Sequence, residues 1–297
     1  MSLKFTAGDL TIHRIIEQET TFLPVFDMLP NLSPELLAEN RAWMKKAKAL
    51  DDTDTLILCF QSYVVTTPHH TILIDSCIGN HKPRPNRPNW NMKTDETYMR
   101  ALAAAGFSVG DIDFVMCTHL HVDHVGWNTK LENGRWVPTF PNAKYLFAKR
   151  EYAHWENERK THDAAEVNGG AFDDSVLPVV EAGKAVMIDV DHQPDPLLTI
   201  KDYPGHTPGS IAINLRDGGQ QACFSGDIMH HPIQVYHPDW SSQFCTDQAL
   251  SAKSRRRLLE DCVATNALLC PAHFPGANAG YIKPAGNAFK IDWDVTK

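Results

Sequence analysis

The sequence predicts a layered α/β domain. Apolar, β-branched runs come in two series along the chain, segments of helical pattern lie between them, and no internal repeat or low-complexity linker divides the series. Of the 297 residues, 43% are hydrophobic and 22% charged, the balance of a globular chain able to bury a substantial core. One domain spanning residues 1–297 is therefore expected.

Taken in order, residues 20 to 50 form an appendage in which Pro-punctuated apolar residues pass into a helix. Ser33 is its expected N-cap, Pro34 the first helical residue, and Glu35 and Glu39 lie near its start. A lid over a pocket, a dimer contact and a packed edge are the roles open to it. "TDTLILCFQSYVVTT" and "HHTILIDSCIG" read as strands joined near "TPHH" in a hairpin. After a loop rich in Pro, Asn and Arg, "DETYMRALAAAG" reads as a helix that Gly106 closes. "IDFVMCT" is a buried strand leading into a cluster of histidines. Next come a strand in "AKYLFAK", a helix around "REYAHWENERK" and a polar stretch to about residue 180. "KAVMIDV", "LLTIKDYP", "GSIAINLR" and "QACFSGD" are further strands, a helix covers roughly 247 to 263, and "NALLCPAHF" is expected to be the last buried strand.

Charge and cysteine content narrow the function. With 28 basic against 36 acidic residues the net charge is −8, which argues against a phosphate-backbone partner. The densest basic run, Arg255-Arg256-Arg257, reads as a solvated helix face. No segment has the pattern of a secretory signal or the roughly 18 apolar residues of a membrane span. The 7 cysteines are scattered and form no CxxC pair, so they read as reduced, mostly buried thiols of a cytoplasmic protein.

The chemistry is concentrated in "THLHVDHVGW", residues 118 to 127. His119 and His121 are two apart and can share a direction, while Asp123 and His124 can turn toward a second point. Imidazole nitrogens and carboxylate oxygens suit zinc, and also iron or manganese. Alone, the segment is also compatible with a fortuitous His-rich loop. Distant partners strengthen the metal reading: His206 on the tight "PGHTPGS" turn, Asp227 at the end of "CFSGDIM", and His273 in "CPAHFPG". Trp127, Trp155, Phe26 and Phe244 are candidates for an apolar pocket wall, each equally readable as core.

The order HxHxDH, then a histidine in "GHTPG", then "SGD", then a C-terminal histidine resembles the metallo-β-lactamase fold superfamily over about residues 55 to 275. The resemblance implies a four-layer αβ/βα sandwich, here with an N-terminal helical appendage. Position by position it implies that His119, His121 and His206 hold one metal, Asp123, His124 and His273 a second, and that Asp227 bridges them. Asp75 matches the superfamily's early aspartate, implying that it orients a ligand imidazole; a strand-end turn residue is the other reading. Two such cations share a water and lower its pKa from about 16 toward neutrality, with Asp123 placed to accept or pass on a proton.

Subfamily features narrow the substrate by exclusion. Asp227 stands where classical β-lactamases of one type carry a cysteine ligand, and neither the basic inserted domain of nucleic-acid processors nor a flavin domain is present. The N-terminal appendage, the long segment between His124 and His206, and "GDIMHHPIQVYHPDW" are similar to the lactonase and esterase branch, which includes the N-acyl-homoserine lactonases and methyl parathion hydrolase. Those lactonases typically carry a tyrosine three residues after the bridging aspartate. Here that residue is His230, read either as a group that hydrogen-bonds the substrate or leaving oxygen, or as a plain polar neighbour of His231. The resemblance thus implies a dizinc hydrolase of a lactone or aryl ester, with iron, manganese or cobalt as other metals and phosphotriesters as promiscuous substrates. The expected partner is a small molecule, with neither nucleic acid nor membrane, and the apolar N-terminal arm makes a homodimer the expected assembly. A mononuclear iron persulfide dioxygenase and a thioester hydrolase of the glyoxalase II kind are the alternatives.

Overall fold

The chain enters on two strands that its composition disguises, β1 (Leu3–Ala7) and β2 (Leu10–Pro24). Along β2 the burial alternates, but the inward positions include Arg14 and Glu17 as well as Leu10, Ile12 and Ile15. Both charged side chains are satisfied: Arg14 Nε donates to Gln61 Oε1, and Glu17 accepts from Trp127 Nε1 at 2.9 Å, Ile78 N at 2.7 Å and Lys93 Nζ at 2.7 Å. A short turn, α1 (Val25–Met28), leads to α2 (Pro34–Lys46), where the Ser33 hydroxyl accepts from Leu36 N at 3.3 Å. The appendage is thus part strand and part helix.

The computed structural model describes residues 3–7 and 10–295. These divide into two units, one built mainly from Leu10–Glu17 and Phe60–Pro196, the other from Gln18–Cys59 and the chain beyond Leu197.

β3 (Thr55–Thr66), which enters the first unit at Phe60, and β4 (Thr71–Ile74) form the expected hairpin, Thr66 pairing with Thr71. Helix α3 (Thr97–Ala104) ends where Gly106 takes φ +94°. β5 (Phe114–Met116) runs parallel to β4. A hairpin that the sequence pattern did not signal follows, β6 (Thr129–Glu132) with β7 (Arg135–Pro138). Then come β8 (Lys144–Ala148), α4 (Lys149–Thr161), α5 (Leu177–Glu181) and β9 (Ala185–Ile188). The sheet runs in the order β1-β2-β3-β4-β5-β8-β9, with β4, β5, β8 and β9 parallel. Its core gathers Leu73, Val115, Tyr145, Phe147, Trp127 and Trp155.

The second unit carries β10 (Leu198–Asp202), β11 (Ile211–Asp217), β12 (Gln220–Gly226), the turn α6 (Ile233–Tyr236), α7 (Gln248–Thr265) and β13 (Leu268–Pro271). Contrary to the expectation for "NALLCPAHF", β13 is not the last strand. β14 (Gly280–Ala285) and β15 (Ala288–Asp292) extend the sheet to the order β10-β11-β12-β13-β14-β15. Pro284 inside the first and the break at Gly286 hid this hairpin from a periodicity reading. The one parallel pair, β12 with β13, is joined across α7, and that helix packs against β12 and β14.

The expectation of a solvated Arg255–Arg257 face fails at its first residue. Arg255 is fully buried on α7, donating to the carbonyls of Ile228 (3.0 Å), Pro238 (2.7 Å) and Trp240 (3.0 Å) and to Ser251 Oγ (3.0 Å). A planar guanidinium can satisfy several acceptors at once, so here it staples loops instead of facing water. All seven cysteines are buried thiols. No helix among the described residues is long and apolar enough to cross a membrane.

Candidate metal centre

β5 lies between β4 and β8, and its C-terminal end opens into the His-rich loop. That loop is laced to the residues after β4. Ser76 N donates to His124 O (2.7 Å), Gly126 N to Cys77 O (2.7 Å) and Trp127 N to Ser76 O (2.8 Å). The approach requires glycine at 126, because a Cβ there would stand 1.8 Å from the carbonyl oxygen of Ile78.

Asp75 turns off the end of β4 with φ +56°, and its carboxylate gathers three donors. Oδ1 accepts from Thr118 N at 2.7 Å; Oδ2 accepts from Thr118 Oγ1 at 2.8 Å and faces His124 Nδ1 at 2.9 Å. A carboxylate offers only lone pairs, so Nδ1 of His124 is the donor in this contact and Nε2 is the ring nitrogen turned away from Asp75. His119 Nε2 and His121 Nδ1 stand 3.1 Å apart, and the rings of His119 and His124 are 4.1 Å centre to centre. Asp123 Oδ1 lies 3.9 Å from His124 Nε2. His119 and His124 are buried, whereas His121 and Asp123 are half-buried.

In the second unit, His206 sits on the turn after β10. Gly205 precedes it at φ +133°, and a Cβ there would meet Ser251 N of α7 at 2.2 Å. Asp227 and His273 leave the same ends of the parallel neighbours β12 and β13. His273 Nε2 reaches Asp227 Oδ1 at 2.9 Å, while His206 Nε2 and His230 Nε2 approach Oδ2 at 3.4 and 3.3 Å. His273 Nδ1 faces the Cys59 carbonyl at 2.9 Å, an acceptor only, so Nδ1 donates there while Nε2 faces Asp227. These buried nitrogens and oxygens, turned toward one another, are a donor set that fits a divalent ion.

His230 is buried with its ring 4.7 Å from that of His206, and neither ring nitrogen makes a hydrogen bond of good geometry. Burial pulls its pKa below the usual imidazole value, against the opposing pull of Asp227. Its neighbour His231 is no surface residue: it is fully buried, with Nε2 on the Ala49 carbonyl at 2.9 Å. Of the aromatic candidates, Trp155 packs its ring 5.2 Å from His121, Trp127 stacks on Tyr98 in the core, Phe244 lies against Phe22, and Phe26 is exposed. Sequence reasoning missed Glu151. Buried on α4, it accepts from Leu120 N (3.0 Å) inside the His-rich loop and from Trp155 Nε1 (2.6 Å). An acidic residue in the first turn of a polar helix carries no mark of that use.

Residues 61–273 match the family model of the metallo-beta-lactamase superfamily. The chain belongs to this superfamily. It is accordingly a metal-dependent hydrolase, and its mixed α/β sandwich is that of the superfamily. A similar sequence is the N-acyl homoserine lactonase AttM of Azorhizobium caulinodans, 24% identical over 242 residues, covering 75% of this chain and 85% of the relative. Among solved structures, the dizinc quorum-quenching lactonase AidC, in complex with a product, superposes with a TM-score of 0.79 at 21% identity, covering 98% of this chain and 96% of that one. The hydrolase AbOPH gives a TM-score of 0.81 at 19% identity with the same coverage.

Proposed function

We propose that this superfamily member is a binuclear zinc hydrolase that opens lactones. In this reading His119, His121, His206 and Asp227 would hold one cation, and Asp123, His124 and His273 the other. Asp227, with a histidine at each oxygen, has the arrangement of a bridging carboxylate. The observation that carries the reading is the orientation of two imidazoles: Asp75 and the Cys59 carbonyl each accept from Nδ1, so Nε2 is the nitrogen by which His124 and His273 would face a cation. When bound, two such ions supply Lewis acidity toward a carbonyl oxygen and a water of lowered pKa.

The chain's own residues then divide the remaining work. Asp123 is half-buried beside His124 and serves to accept the proton that the attacking water loses and to return it to the leaving oxygen. His230, kept neutral by burial, has a hydrogen-bonding nitrogen to offer the substrate or the leaving oxygen. The lactone assignment is supported by AttM and AidC, both lactonases. Aryl esters are the second substrate class and phosphotriesters a promiscuous one. A cytoplasmic setting agrees with seven buried thiols, and dimerisation through the 20–50 appendage, where Phe26 is exposed, completes the proposal.

A kinetic panel on zinc-loaded protein tests this reading. Lactones are expected to show the highest kcat/KM, above aryl esters, a phosphotriester, a thioester and a β-lactam. Two zinc ions per chain should accompany that ranking. A dominant thioester or β-lactam activity, or a single iron per chain, overturns it.

A further inference from the structure

The segment after α4 contains a turn for which the proposed chemistry has no use. Asn168, Gly169 and Gly170 take left-handed backbone angles in succession, φ 49°, 60° and 79°. Asparagine and glycine are the residues that tolerate this region. The turn aims the Asn168 amide at the His-rich loop. Its Nδ2 donates to Leu120 O at 2.7 Å, and its Oδ1 accepts from Val122 N at 3.0 Å. One side-chain amide therefore occupies both peptide groups that flank His121, as a neighbouring strand would. Glu151 takes the remaining polar group of Leu120, its N–H.

The back of the turn is anchored as firmly as its front. Arg84 Nη1 donates to Gly169 O at 2.8 Å and pairs with Asp174 at 2.7 Å, both side chains being buried. A Cβ on Gly169 would press on Arg84 Cδ at 3.2 Å, so turn and guanidinium are in direct contact. Lys82, also buried, donates to Asp174 O at 3.0 Å and Thr129 Oγ1 at 2.6 Å. Loops rarely hold three buried ionisable side chains unless something must be kept in place.

We propose that Asn168 is a positioning residue that fixes His121 through the main chain, with the Arg84–Asp174 pair as its anchor. The proposal rests on the reading of His121 as a metal ligand. His124 and His273 are oriented through their own rings, by Asp75 and the Cys59 carbonyl. At His121 the structure holds the peptide groups on either side of the residue. An unclamped loop would let the imidazole sample angles away from the ion, and metal affinity is sensitive to such support.

The test uses the full chain, as purified and after chelation, with Asn168→Gly and Asn168→Asp. Glycine keeps the left-handed turn and removes the amide; aspartate is isosteric and keeps only the acceptor for Val122 N. Amide exchange at Val122 is expected to quicken about tenfold or more in Asn168→Gly, with or without zinc. Zinc competition against a chromophoric chelator is expected to show affinity lower by about 10- to 100-fold in both variants. Unchanged Val122 exchange in Asn168→Gly, or wild-type zinc affinity in both variants, overturns the proposal. Failure of the wild-type chain to take up zinc would sink the metal reading itself, and Val122 exchange would still decide whether the clamp exists.

Discussion

The side chains nearest the proposed ligands set proton positions. Asp75 accepts three hydrogen bonds with two oxygens, and an asparagine in its place would offer one oxygen and present N–H groups to the other donors. Asp75→Asn is expected to lower zinc affinity by about 10- to 100-fold, measured by chelator competition. His231 tests burial itself. Its Nε2–H donates to Ala49 O, its Nδ1 accepts from Ile233 N, and burial pushes its pKa down to about 4. The folded state thus disfavours the protonated ring, while the unfolded chain protonates near its ordinary value of about 6.5. Stability from this group is complete above that pH and drains away as pH falls toward 4, by roughly 3 kcal/mol in all. Urea unfolding of His231→Gln from pH 7 to 4 should show a correspondingly shallower decline; an unchanged slope would contradict the assignment. Neither neighbour's role was marked in the sequence equally well. Asp75 stands in a recognisable strand-end position, whereas nothing in "MHHP" marks His231 as interior, because burial is a property of what surrounds a residue.

Short elements deliver the proposed ligands by close backbone contact. The loop after β5 is tied to residues 76–78 so tightly that Gly126 leaves no space for a methyl group. Gly126→Ala must push two main chains apart, and an overpacked site of this kind costs on the order of 3 kcal/mol. The melting temperature is expected to fall by roughly 6–12 °C, and a fall of less than a few degrees in a thermal scan would show that the loop can yield. Most elements were legible. β3, β4, β5, β8 and β10 to β13 announce themselves as β-branched apolar runs, and α2 carries its cap in Ser33-Pro34. β2 did not, since Arg14 and Glu17 occupy inward positions and find partners in Gln61, Trp127, Ile78 and Lys93. Tertiary hydrogen bonding converts residues that read as exposed into interior ones. The same physics buries Arg255 in what reads as a charged helix face.

For the molecule as a whole, metal and stability should be linked. An ion that binds the folded chain and not the unfolded one adds about 2.7 kcal/mol at a hundredfold excess over its dissociation constant. Chelation should therefore lower the melting temperature by about 5 °C or more and abolish hydrolysis, with zinc restoring both. A thermal transition indifferent to chelator and zinc would argue against any resident cation.

The donor types were readable in advance because affinity for a divalent ion belongs to imidazole and carboxylate groups themselves, and short motifs carry them intact from His119 to His273. Superfamily membership follows from the same motifs and from the match over residues 61–273. Which way each imidazole is turned depends instead on an acceptor contributed by a remote residue, Asp75 for His124 and Cys59 for His273. The amide beside His121 comes from Asn168, and Arg255 is interior because three loop carbonyls converge on it. Such pairings join residues far apart in the chain, and their strength depends on distance and exclusion of water, which exist only once the polypeptide has folded.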